Sequence, residues 1–156
     1  MSELVKHLEL LVEMELRHAS ELRQLSERIK HPVLRSLFSA IASDSLKHSQ
    51  VYKAVIELMT GVQPLLSQEE LRYIGETIEE HIRTESAMIE ETKRLLAQVE
   101  DPRVRILVAA VHSDELTHHG VLLSIERNIA RKELLTEDEF WALVWRDSPW
   151  HGAPGG

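Results

Sequence analysis

Four long, heptad-spaced apolar stripes, broken only at KHP (30–32), TGVQP (60–64) and EDP (100–102), predict an all-α chain. The expected architecture is a four-helix bundle of two duplicated helical hairpins, plus a short C-terminal helix. Two further observations support it. No stretch alternates with period two for long, so strands are not expected. The chain also matches itself without gaps at an offset of 70 residues.

The first segment runs from about Ser2 to Lys30, with Leu4, Leu8, Leu11, Leu22, Leu25 and Ile29 on one face. The second opens at Pro32, a residue favoured in a helix's first turn, and aligns Leu34, Leu37, Ile41, Val51, Val55 and Leu58. The third opens on Ser67-Gln68-Glu69-Glu70, a capping box, and carries Leu71, Ile74, Ile78, Met88, Leu95 and Val99. The fourth runs from Pro102 to about Lys132, with Val104, Leu107, Val111, Val121 and Ile125. Residues 1–132 thus form the bundle, with hairpins at about 2–60 and 67–132, and short connections favour up-down-up-down order. In 133–156, Thr136-Glu137-Asp138-Glu139 is a second capping box that starts a fifth helix over 137–146. Trp141, Trp145 and Trp150 then cap one end of the bundle or form a homodimer contact, and HGAPGG is expected to be disordered.

Composition narrows the function classes. The 156 residues are 43% hydrophobic but only 4% aromatic, which suits a helical domain large enough for a real core. A formal charge of -8 argues against nucleic acid or an anionic membrane as partner, since both require a basic face. No apolar run approaches the ~20 residues that span a bilayer. The amphipathic, acidic N-terminus has no basic flank and does not read as a signal or transit peptide. Without cysteine there is no disulfide, thiolate site or thiol nucleophile, and the cytoplasm is the default compartment.

The duplication carries the functional signal. Between 15–51 and 85–121, twelve of 37 pairs are identical, among them Glu15/Glu85, Asp44/Asp114 and His48/His118. Duplicated hairpins could preserve apolar positions alone. These also preserve a Glu, an Asp and a His. Where the apolar stripes are interrupted mid-helix stand Glu15 and His18, Asp44 and His48, His81 and Glu85, Asp114 and His118. Each pair is three or four residues apart and shares a helix face. Counted from the turn at 31, Glu15 and His48 lie 16 and 17 residues away, and Glu85 and His118 repeat those values around 101. Straight antiparallel helices would gather these groups at mid-bundle, with His81 one turn further out.

Burying several carboxylates and imidazoles uncompensated costs several kcal/mol per charge. A pair of metal ions compensates efficiently, and sulfur-free carboxylate and imidazole ligands suit iron, manganese or zinc. A hydrogen-bonded Asp–His network without metal is the other reading of these residues. Glu13, Glu79, Glu80, Glu90, Glu91 and Glu126 lie off the stripes and read as solvated, as do His7, His31, His112 and His119. Tyr52, one turn from His48, reads as a core tyrosine.

From about residue 8 to 130 the pattern resembles the ferritin-like di-iron carboxylate proteins, in particular the rubrerythrin-like branch. Glu15 and Glu85 match that family's single glutamates, and Glu115-Leu-Thr-His118 matches its Glu-x-x-His. The resemblance implies a dinuclear iron centre and redox chemistry with dioxygen or peroxide as the small-molecule oxidant. Its ligands would be Glu15, Asp44, His48, Glu85, Asp114 and His118, with His18, His81 and Glu115 as further candidates. Helix two reads Ser45-x-x-His48, so the family's glutamate is missing there. Either Asp44, with Asp114 as its counterpart, supplies the carboxylate from one position earlier, or the site is asymmetric and mononuclear. Heptad phase favours the aspartates. The four cysteines of a rubredoxin module are absent, and the short middle connection departs from the ferritin crossover. A non-catalytic metal-binding or storage protein, and a structural bundle with a buried polar network, are the alternatives.

Overall fold

The protein is described here by a computed structural model covering residues 2–61, 65–129 and 137–150. Five helices follow in order: α1 (Glu3–Arg28), α2 (Pro32–Thr60), α3 (Gln68–Gln98), α4 (Pro102–Ile129) and α5 (Glu137–Asp147). No strand occurs among the described residues. The all-α class, the four long helices and the short fifth one are those the sequence predicts. The capping box at Thr136 and the HGAPGG tail lie outside the described residues.

Each helix starts where local chemistry satisfies its free N–H groups. The Ser2 hydroxyl accepts from the Val5 N–H at 3.2 Å. Pro32 occupies the first turn of α2, where its missing N–H costs nothing. At α3 the capping box is complete: Ser67 Oγ accepts from Glu70 N–H at 3.1 Å, and Glu70 accepts from Ser67 N–H at 2.8 Å. Those bonds hold the Glu70 carboxyl below its usual range, the backbone bond most of all. Asp101 accepts from the Arg103 N–H at 2.9 Å and pairs with its guanidinium, which lowers the Asp101 pKa to about 2. Arg105 then reaches back to the carbonyls of Leu96 and Val99, at 2.6 and 2.9 Å, tying the start of α4 to the end of α3.

The chain divides into two compact units, residues 1–64 and 65–156. In the first, α1 packs on α2 as a hairpin. Its buried seam is Val5, Leu8, Val12 and Ala19 from α1 against Ala42, Ser45 and Ser49 from α2. Three small residues in succession allow close helix approach, and the two serine hydroxyls are satisfied: Ser49 donates to Leu46 O at 2.7 Å and Ser45 meets His18. The expected stripe on α2 lies elsewhere. Leu34, Ile41, Val51 and Leu58 are exposed, as are Leu4 and Leu25 of α1. The buried line is therefore displaced by one position from the one read in the sequence.

In the second unit α3 pairs with α4, and α4 with α5. Leu71 and Ile78 are buried on α3, Ser124 and Asn128 on α4, and Phe140 on α5. The α4–α5 junction is polar and directional. Ser124 Oγ donates to Val144 O at 2.8 Å, while Asn128 Nδ2 donates to Ser124 O and to Asp147 Oδ2 at 2.7 and 3.1 Å. Gly120 allows Pro149 to close on α4: a Cβ there would meet Pro149 Cγ at 3.2 Å. Trp141, Trp145 and Trp150 remain about half exposed or more and line an apolar recess with Val121, Ile125 and Val144.

Candidate metal-binding residues

In hairpin 2 (α3–α4), the stripe of α3 is interrupted by Glu85, half-buried, facing Glu115 and His118 of α4. The three residues offer donor atoms that all lie within 4.8 Å of one another. His118 Nδ1 is 3.7 Å from Glu85 Oε1. Glu85 and Glu115 share a hydrogen bond, and this, together with burial and the Glu85 charge, raises the Glu115 pKa; nearby His118 opposes the shift. Glu85 Oε2 and Glu115 Oε2 are both buried and have no hydrogen-bond partner. Leaving a buried carboxylate oxygen unsatisfied is costly, and a cation between the two side chains would relieve that cost.

In hairpin 1 (α1–α2), the corresponding groups are Glu15 and His48. His48 Nδ1 stands 3.3 Å from Glu15 Oε1, with Glu15 the more buried partner. At the place of Glu115 stands Ser45, and its Oγ lies 3.2 Å from His18 Nδ1. His18 and Glu15, one turn apart on α1, border a common recess of about 210 Å³ with Leu11 and Met14.

The remaining candidates fall away from these groups. Asp44 is half-buried and ion-paired with Lys47 at 2.7 Å, and Asp114 is exposed; neither belongs to the three-residue group. The buried position of α2 is thus 45, and on α4 it is Glu115, not Asp114, that comes together with Glu85 and His118. The cause is the displaced buried line: with Ala42, Ser45 and Ser49 buried, residue 44 sits at its edge. His81 is exposed and takes no part in the three-residue group. Tyr52 is half-buried.

The same shift corrects two histidines read as surface residues. His112 is half-buried, and its Nδ1 lies 2.7 Å from Thr92 Oγ1 across the α3–α4 seam. His119 is half-buried and its Nδ1 is shielded from solvent with no partner. Their counterparts in hairpin 1 are Ala42 and Ser49, both buried. Following the 70-residue offset at every seam position, beyond the conserved polar ones, would have marked them. No family model, curated protein or solved structure matches this chain.

Proposed function

We propose that this protein binds transition-metal ions, iron first, through the carboxylate and imidazole groups of its two hairpins. The observation that carries the reading is the group of Glu85, Glu115 and His118, with two buried carboxylate oxygens that nothing in the protein satisfies. The fit is chemical as well as geometric. The hydrogen bond to Glu85, burial and the Glu85 charge raise the Glu115 pKa, and a divalent ion would stabilise both carboxylates in their charged forms. Oxygen and nitrogen donors without sulfur suit iron and manganese, and zinc also accepts them.

Glu85, Glu115 and His118 would hold one ion, and Glu15 and His48 would contribute to a second. A bound iron supplies one-electron chemistry toward a small oxidant such as dioxygen or peroxide. The chain's own part would be to present the carboxylates, with Glu115 releasing its proton to solvent as the ion binds. Anaerobic loading with ferrous ion, followed by addition of oxygen or peroxide, tests the redox half of the proposal. Consumption of oxidant with a matching rise in ferric absorbance is expected. Metal retained without any consumption would leave a binding or storage protein.

A further inference from the structure

The two hairpins are unequal at two of their four matched positions. Under the 70-residue offset, Glu15 pairs with Glu85 and His48 with His118, but His18 stands opposite Met88 and Ser45 opposite Glu115. Where hairpin 2 has a carboxylate on its second helix, hairpin 1 has an imidazole on its first. We propose that the hairpins hold non-equivalent ions. The first binds at Glu85, Glu115 and His118; the second, weaker one binds at Glu15, His18 and His48, with His18 replacing the missing carboxylate. This rests on the metal-binding reading above and assigns its residues and order of loading.

The geometry supports both the replacement and the order. Ser45 is buried, and its Oγ lies 3.2 Å from His18 Nδ1. In the tautomer that carries its hydrogen on Nδ1, His18 would donate to Ser45 Oγ and present the Nε2 lone pair to an ion, as metal-bound histidines do when a neighbouring acceptor orients them. Glu15 borders the same recess as His18, and His48 stands 3.3 Å from Glu15. In hairpin 2 the three donors already lie within 4.8 Å of one another, and two carboxylate oxygens await a partner. Hairpin 1 has no such ready-made group among the described residues, so its donors must gather when the ion arrives. That rearrangement weakens the second step.

Cobalt(II), which needs no oxidant or reductant, is the probe, titrated into the full metal-free chain by calorimetry with visible absorption in parallel. Wild type should show two steps, about tenfold or more apart in Kd. Glu115→Gln should abolish the tight step. His18→Ala should abolish the weak one and leave the tight step unchanged. Ser45→Ala should weaken only the weak step, by about tenfold, because it removes the group that orients His18. If His18→Ala loses its helical circular dichroism, His18→Met takes its place, since methionine already stands at the matched position of hairpin 2. Two equal steps, or a second step indifferent to His18 substitution, would overturn the inference while leaving metal binding intact. No cobalt binding by wild type would overturn both.

Discussion

Glu115 is the residue in which site chemistry and stability oppose each other. Its folded pKa lies above the usual carboxylate value because it shares a hydrogen bond with Glu85, is partly buried and faces that second charge. A raised carboxylate pKa means that the folded state binds the proton more tightly than the unfolded one. The stabilisation is therefore complete below the unfolded value of about 4.3 and is lost as pH rises through the folded pKa. Once ionised, Glu115 opposes folding of the metal-free protein. The Tm of metal-free Glu115→Gln should exceed that of wild type at pH 7, and the gap should close toward pH 4. Solvent screening keeps the effect modest. Adding a divalent ion should reverse the order, since only wild type retains the full ligand set. Thermal unfolding followed by circular dichroism at several pH values checks this. Equal Tm values at every pH would show that the Glu85–Glu115 repulsion is already relieved in another way.

At the scale of elements, the two hairpins use different seams. Hairpin 1 closes on Ala42, Ser45 and Ser49, and Ala42 is only 2% exposed. Ala42→Leu should therefore overpack the α1–α2 contact and cost about 1–3 kcal/mol in denaturant unfolding. A neutral result would mean that the helices are further apart than the structure shows. The start of α4 depends on charge. Asp101, with a pKa of about 2, contributes stability above its usual value near 3.8, and that stability is lost as pH falls through 2. Asp101→Asn should lower Tm at pH 7 and match wild type near pH 2. Much at this scale is legible in the chain itself. Pro32, Pro102 and the Ser67–Glu70 box mark helix starts within a residue, and the 70-residue offset exposes the paired hairpins. The rotation of each helix is harder to read. Apolar residues occur on more than one face, so Leu34, Ile41 and Val51 form a convincing stripe while small Ala42, Ser45 and Ser49 form the buried line. Small residues bury well but weigh little in a hydrophobic pattern. That single-position rotation puts Glu115, and not Asp114, beside Glu85 and His118, and hid the burial of His112 and His119.

For the whole molecule, charge and composition set the class of partner. A formal charge of -8 disfavours polyanions and attracts cations, and no described helix is long and apolar enough to cross a membrane. Both compact units carry a glutamate facing a histidine, in hairpin 1 at 3.3 Å and in hairpin 2 at 3.7 Å. The pairs Glu15/Glu85 and His48/His118 are legible from the duplication, although Asp44/Asp114, equally identical, stands outside these contacts. The unequal members, Ser45 and His18 against Glu115 and Met88, are also readable at the 70-residue offset, and the structure adds that Ser45 meets His18 while Glu115 joins Glu85 and His118. The most direct test of the account is the metal content, by elemental analysis, of the full chain loaded with ferrous ion and desalted without oxygen. Wild type should retain about two ions per chain, as a carboxylate and imidazole donor set in each hairpin implies. A His48→Ala, His118→Ala chain that keeps its helical signal should retain almost none. Equal metal in the two proteins, or none in wild type, would contradict the central claim.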